Sequence, residues 1–300
     1  MKGELRQELM IDGKTKLYGI FGDPVEHSLS PVMHNAAFRE RGLNCCYLPF
    51  RVLREELPFA VRAISALGLK GVNITAPHKE AVVQFLDEID GEAAFLQAVN
   101  TIINRGGKLL GYNTDVYGFQ FLLQKNLKDI PSRGKACLLG AGGAAKAVSL
   151  ALSGSGFEEL FIVNRTLARA EKLAALLTAE GLFKEGKVRA AEPGVDSLRR
   201  NLEGSFLLIN ALSEDPVEAG FLSPGTFFPP ECKASIDLRY ALGETPFKLW
   251  AQKRALFFVD GLDMLLGQGL KAFELFTGEK APHPAMGEAL RRALYNRLKP

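Results

Sequence analysis

The stretch Lys135 to Val148, KACLLGAGGAAKAV, constrains the fold of this chain more than any other. Ala136, Cys137, Leu138 and Leu139 make the short apolar run of a central parallel strand, and glycines follow at once. Gly140, Gly142 and Ala145 fit G-x-G-x-x-G/A. In that pattern the first glycine permits a tight turn, the second admits a pyrophosphate to the backbone, and the small third residue lets helix pack on strand. The helix that opens there turns unpaired N–H groups toward an anion. A plain tight turn satisfies the same spacing, so the downstream context decides between the two.

That context is a second apolar strand, Leu160 to Val163, ending in Asn164-Arg165-Thr166. An NAD-binding unit usually carries an acid there for the ribose hydroxyls. Here the tip is cationic. Arg165, with Arg169 one helical turn later, suits a 2'-phosphate through forked hydrogen bonds, which makes NADP(H) the expected cofactor. The local alternative is that Thr166 caps the helix LARAEKLAALL and both arginines are solvated. Strands at Phe206 to Asn210, Ala234 to Leu238 and Ala255 to Val259 alternate with helical segments, the repetition of a doubly wound parallel sheet. Phe221 to Pro230, rich in Pro, Gly and Phe, reads as a loop.

The first half of the chain has its own pattern. About fifteen residues read as a frayed tail, and Leu17 to Gly22 as a strand. In HSLSPVMHNAAFRERG, Pro31 fits the first turn of a helix with Ser30 as N-cap, and the Ser28 and Ser30 hydroxyls can equally hold a polyhydroxylated or carboxylated ligand. A strand over Cys45 to Phe50 and a helix over Leu53 to Leu67 follow. Gly71 to Thr75 is a strand with Asn73 and Thr75 on one face, after which Ala76-Pro77-His78-Lys79 turns into a helix over Glu80 to Leu86. A lysine at such a junction is commonly a solvated surface group, but two like-facing polar residues just before it argue for a role. Ala98 to Ile103 and Leu109 to Tyr112 form a hairpin around Arg105-Gly106-Gly107. Asp115 then opens a helix, either as an N-cap or as a carboxylate beside the first domain's lysine. Helices over Leu262 to Thr277 and Pro284 to Leu298 end the chain with no strand between them.

Three hundred residues suggest two domains, and a net charge of +3 without basic runs interleaved with aromatics makes nucleic acid an unexpected partner. No run of eighteen apolar residues and no apolar leader occur, so a cytoplasmic protein with no membrane association is expected. Cys45, Cys46, Cys137 and Cys232 fit neither a disulfide framework nor a zinc spacing, and His27, His34, His78 and His283 form no ligand cluster, so no metal is expected. A monomer or homodimer is the expected assembly.

HSLSPVMHNAAF, GVNITAPHKE, AVNT, GYNTD, GAGGAA, NRT and the late GLDMLLGQG stand together in an order that resembles the shikimate dehydrogenases, the shikimate/quinate dehydrogenase family. The resemblance covers nearly all of the chain after its tail. It implies an α/β fold: an N-terminal substrate domain over 1–115, completed by C-terminal helices over 262–300, and a doubly wound Rossmann-type NADP domain over 116–261, with a cleft between them. Ser28 and Ser30 would bind the substrate carboxylate, and Asn73, Thr75, Asn100, Tyr240 and Gln268 the ring hydroxyls. Lys79 and Asp115 would be the catalytic pair. Gly140, Ala141, Gly142, Gly143 and Ala144 would cradle the pyrophosphate, Asn164, Arg165, Thr166 and Arg169 the adenosine 2'-phosphate, and Leu238 and Gly261 the nicotinamide end. The activity implied is reversible reduction of 3-dehydroshikimate to shikimate by NADPH, in aromatic amino-acid (chorismate) biosynthesis. Two alternatives stay open. One is a quinate/shikimate dehydrogenase using NAD; the other is a non-catalytic NADP- and shikimate-binding sensor, which would be expected to lose Lys79 or Asp115.

Ketone reduction needs a hydride from one side and a proton from the other, so a donor must stand within hydrogen-bond reach of the carbonyl oxygen. A lysine ammonium can serve and can also stabilise charge developing on that oxygen. Lys79 is the natural donor with Asp115 orienting it, and the sequence does not decide which of the two formally exchanges the proton. The chain departs from the family where Asn-Ala-Thr and a Gly-Met turn are usual: it reads Asn210-Ala211-Leu212-Ser213-Glu214-Asp215-Pro216. A cofactor-side hydroxyl is lost there or supplied by Ser213. Phe276 stands where the family often has tryptophan.

Overall fold

Contacts divide the chain into two units, Met1–Thr114 with Gln268–Pro300, and Asp115–Gly267. The computed structural model describes residues 11–127, 134–194, 198, 203–223, 225–226, 229–240 and 243–297.

In the first unit the apolar runs become β1 (Lys16–Gly22), β2 (Cys45–Arg51), β3 (Gly71–Ile74), β4 (Glu88–Ile89), β5 (Thr101–Arg105) and β6 (Lys108–Tyr112). Helices α1 (Ser30–Glu40), α2 (Leu57–Ala66) and α3 (Gly91–Leu96) connect them. The sheet runs β2-β1-β3-β5-β6-β4. β1 lies parallel to β2 and β3, while β5 is antiparallel to β3 and β6. Gly106 and Gly107, at φ +63° and +98°, make the two-residue turn that hairpin twist requires. Val61 and Ile64 of α2 bury against Val72, Ile74 and Ile102 of the sheet. The terminal helix α9 (His283–Arg297) packs on α1.

Several local expectations are corrected. Residues 1–10 of the supposed tail lie outside the described residues, but the following ones are tied down: Asn44 Nδ2 donates to Asp12 Oδ1 at 2.8 Å and Thr15 Oγ1 to Asn44 Oδ1 at 2.7 Å. The helix expected from Leu53 begins as a 3-10 turn, Arg54–Glu56, and becomes α-helical only at Leu57, where Pro58 occupies the first turn. Glu80 to Leu86 is a 3-10 segment, Ala81–Phe85. β5 starts at Thr101 and not at Ala98, because the Val99 N–H donates to Lys79 O at 2.8 Å and is not spent on β3. β4 was not legible at all; two residues are held there by pairing with β6.

The second unit carries β7 (Lys135–Leu139), β8 (Glu159–Val163), β9 (Val188–Ala191), β10 (Ser205–Asn210), β11 (Ala234–Asp237) and β12 (Phe257–Asp260). With them come α4 (Asp115–Asn126), α5 (Gly143–Gly154), α6 (Leu167–Ala179), α7 (Pro246–Gln252) and α8 (Leu262–Thr277). All pairings are parallel, in the order β12-β11-β10-β7-β8-β9. Strand order reverses between β7 and β10, the place where doubly wound sheets open a ligand crevice at their carboxyl ends. Cys137, Leu139, Phe161, Val163 and Leu208 line one core with Phe247 and Trp250, and Phe221 and Leu222 of the proline-rich loop belong to it too.

The contact division differs from the domain limits expected from sequence: Asp115 and residues 262–267 group with the second unit. A Cβ on Gly267 would lie 3.0 Å from Gly118 Cα of α4, whereas one on Gly269 would collide with Met33 Cε of α1. Among the described residues no helix is long and apolar enough to cross a membrane, and no three metal-binding side chains cluster. The four cysteines are free and buried.

His34 of α1 has a thermodynamic consequence. Its ring stacks on Tyr47 at 4.5 Å and 10°, both ring nitrogens lack a hydrogen-bond partner, and burial lowers its pKa to about 3. An unfolded histidine titrates near 6.5, so between these values the unfolded chain binds the extra proton and stability rises with pH. Urea unfolding should show wild type losing about 1.4 kcal/mol relative to His34→Leu between about pH 7.5 and pH 5.5. Equal pH slopes for the two proteins would remove His34 as the cause.

Candidate active site

A buried polar network forms in the first unit around β3. Asn73 Nδ2 donates to Asn100 O at 3.1 Å and to Thr101 Oγ1 at 2.9 Å, and Asn73 Oδ1 accepts from the Tyr47 hydroxyl at 2.7 Å. The Ser30 side chain hydrogen-bonds Tyr47 in turn. Asn100 Nδ2 donates to Thr114 Oγ1 at 3.0 Å, and Asn100 Oδ1 accepts from the Thr114 N–H at 2.8 Å. Three of the expected residues, Ser30, Asn73 and Asn100, are thereby joined. Sequence reasoning passed over Tyr47, Thr101 and Thr114. The signal available for Tyr47 was its hydroxyl: a tyrosine in an otherwise apolar strand start needs a polar partner when buried.

Ser30 does not cap α1 as expected. Leu29 holds the cap position, and Ser28 Oγ accepts the Ser30 N–H at 3.2 Å, which leaves the buried Ser30 side chain for Tyr47. Thr75 follows β3, half-buried, with its N–H on Phe21 O at 2.9 Å. The turn beyond it is fixed by the His78 N–H on Thr75 O at 3.0 Å and by His78 Nε2 against Val52 O at 2.7 Å. Lys79 is half-buried, and its carbonyl is held by Val99, the residue before Asn100. Gln268 lies in α8 beside Gly269. Asp115, buried, is the first residue of α4 and follows Thr114 in the chain.

In the second unit the glycine turn leaves β7 as its sequence requires. Gly140 has φ +109°, and a Cβ there would stand 3.1 Å from Ala211 O. Gly142 differs. Its φ of −89° is open to any residue and a Cβ would meet nothing within 4 Å, so neither backbone nor packing demands glycine. No side chain caps α5, whose first N–H groups are left for an outside acceptor. Ala145 is fully buried, as the small third position must be. A turn shaped this way has the room and the N–H groups that the pyrophosphate of a dinucleotide needs.

The carboxyl end of β8 carries Asn164, Arg165 and Thr166. Asn164 Nδ2 donates to Thr166 O at 2.9 Å, and the Thr166 hydroxyl makes no cap bond to α6. Thr166 therefore holds the N-cap position of α6 without a side-chain cap bond, so the capping alternative is met in position but not in its hydrogen bond. Arg169 is exposed one turn into α6. Arg165 is exposed but engaged: Nη1 lies 2.9 Å from Glu214 Oε1, Nη2 donates to Ala219 O at 3.0 Å, and the guanidinium stands 5.5 Å from the Phe221 ring centre.

Leu238 and Gly261 come together through the backbone. The Leu238 N–H donates to Asn210 O at 3.0 Å, and a Cβ on Gly261 would collide with Leu238 O, an approach only glycine permits. Tyr240, half-buried, follows in the same loop. The residue before it, Arg239, bridges Asp237 Oδ2 at 2.8 Å and Asp215 Oδ2 at 3.0 Å through Nη2, both carboxylates being buried. At the point where the sequence departs from the family, the Leu212 side chain lies against Gly140, and Ser213 is exposed.

Fold and site define an α/β protein whose second unit is a dinucleotide-binding Rossmann domain. Comparison with known proteins narrows this. The shikimate dehydrogenase substrate-binding domain matches residues 20–102, the shikimate/quinate 5-dehydrogenase family residues 122–185, and the shikimate 5'-dehydrogenase C-terminal domain residues 261–291. The chain is 40% identical to a shikimate dehydrogenase (NADP(+)) of Moorella thermoacetica, over 95% of this chain and 96% of the relative. A solved shikimate dehydrogenase in complex with NADP+ is 36% identical, covers 95% of this chain and 98% of its own, and superposes with a TM-score of 0.79. The shikimate 5-dehydrogenase of Thermus thermophilus in complex with shikimate is also 36% identical, with a TM-score of 0.78 over 93% of this chain and 99% of its own. The chain belongs to the shikimate dehydrogenase family.

Proposed function

We propose that the chain catalyses the reversible NADP-dependent reduction of 3-dehydroshikimate to shikimate, the step of chorismate biosynthesis its relatives are named for. The observation that carries this reading is the buried network of Ser30, Tyr47, Asn73, Asn100 and Thr114. It fixes amide and hydroxyl groups before any ligand arrives, as recognition of a polyhydroxylated ring requires. Ser28 and Ser30 hold the substrate carboxylate, and Asn73, Thr75, Asn100, Tyr240 and Gln268 hold the ring hydroxyls.

NADP supplies the hydride when bound. The Lys79 ammonium gives its proton to the carbonyl oxygen and stabilises the charge that develops there. Asp115 orients Lys79 and hydrogen-bonds the same hydroxyl. The links Lys79 O to Val99 N–H, and Asn100 to Thr114 next to Asp115, support reading the two as a pair. Gly140 to Ala144 hold the pyrophosphate, Asn164, Arg165, Thr166 and Arg169 the 2'-phosphate, and Leu238 and Gly261 the nicotinamide end. The enzyme works in the cytoplasm as a monomer or homodimer, an environment that suits its four reduced thiols.

The test is growth of nicotinamide absorbance when purified protein meets shikimate and NADP+, beside mixtures containing NAD+ or quinate. Turnover selective for shikimate with NADP+ is expected. Preference for NAD+ with quinate would instead assign the quinate/shikimate activity, and no turnover by folded protein would point to a sensor or to a damaged nicotinamide site at Leu212 to Pro216.

A further inference from the structure

The ion pair between Arg165 and Glu214 occupies an unusual position. Arg165 follows β8 and Glu214 lies in the loop after β10, while β7, with its glycine turn, stands between those strands in the sheet. The pair therefore joins the segments that follow the two strands flanking β7.

Glu214 is held there from both sides. Its carbonyl accepts from Asn210 Nδ2 at 3.3 Å. The next residue, Asp215, is buried and accepts from the Val217 N–H at 2.9 Å and the Phe247 N–H at 3.1 Å. Arg165 meanwhile spends Nη1 on Glu214 and Nη2 on Ala219 O, with Phe221 below the guanidinium. Two of its five N–H donors, one on each terminal nitrogen of the fork that suits a phosphate, are already in use. A phosphate must either draw Arg165 away from the carboxylate or share it against like-charge repulsion.

We propose that Glu214 is an internal competitor for Arg165, a specificity-determining residue that weakens the hold on the adenosine 2'-phosphate and narrows the preference for NADP over NAD. This rests on the NADP reading above. It falls in the segment where the chain departs from its family, and it gives that departure a function other than the loss of a hydroxyl. A ligand lacking the 2'-phosphate has no use for the guanidinium and is indifferent to the pair.

Calorimetric titration with adenosine 2',5'-bisphosphate and with 5'-AMP tests this without turnover. Glu214→Gln is expected to tighten the bisphosphate about three- to fivefold, the range of an exposed ion pair, and to leave 5'-AMP unchanged. In an Arg165→Gln background the same substitution is expected to change bisphosphate affinity by less than about 1.5-fold, because the competition no longer has an object. Unchanged bisphosphate affinity in Glu214→Gln overturns the proposal. So does a gain that survives Arg165→Gln, which would make Glu214 a through-space repeller, or a gain shared by 5'-AMP. Failure of the NADP reading looks different: wild type would then bind both nucleotides alike and Arg165→Gln would lose nothing, which also removes the competition.

Discussion

Replacing Lys79 by methionine is expected to lower kcat about a thousandfold and to change shikimate affinity by less than about threefold. The size follows from two roles lost together, the proton donor and the cation facing the developing alkoxide. The surrounding geometry makes the experiment clean. The turn holding Lys79 is fixed by main-chain bonds and by the buried His78 ring on Val52 O, and the bond accepted by the Lys79 carbonyl is one that methionine retains. Steady-state rates with shikimate and NADP+, together with calorimetric shikimate binding, separate the chemical step from recognition. A kcat within tenfold of wild type would take Lys79 out of the mechanism. Unmeasurable shikimate binding would make it a binding residue.

What could be read from the sequence depends on whether a residue's task is local. The β7 glycine turn, the Gly106-Gly107 hairpin and the tip of β8 were legible because each is set by a few consecutive residues. Strands β4 and β9 were not. Val188–Ala191 is only partly buried and lacks an apolar run; pairing with β8 recruits it. Ser30 was misread for a related reason: cap preference favours a serine before proline, but Tyr47, distant in sequence, claims its side chain. Glu214 carries no local signal either, since its partner lies 49 positions earlier, on another strand's end. Sequence marks the turns that shape the cradle, and only folding shows which charges meet.

The largest stability effect should come from another such meeting, the two buried carboxylates on Arg239. Asp237 Oδ1 also accepts from Asn210 Nδ2 at 2.9 Å, and Asp215 Oδ2 from the Phe247 N–H at 3.1 Å, so neither aspartate can turn to water when the guanidinium goes. Arg239→Met should therefore cost about 3 kcal/mol, at the low end for a broken buried pair because the Arg239 side chain keeps 26% exposure. The urea midpoint is the measurement. A loss under about 1 kcal/mol would mean that water reaches the carboxylates and makes the bridge dispensable. Adding Asp215→Asn and Asp237→Asn to Arg239→Met distinguishes charge from packing. If two unpaired charges are the penalty, neutralising them recovers part of the loss; if the arginine stem supplies the stability, the triple variant is weaker still. The same bridge ties the loop bearing Leu212 and Glu214 to the one bearing Leu238 and Tyr240. The charge account therefore further predicts that Arg239→Met raises the KM for NADP+ even at temperatures where the variant stays folded.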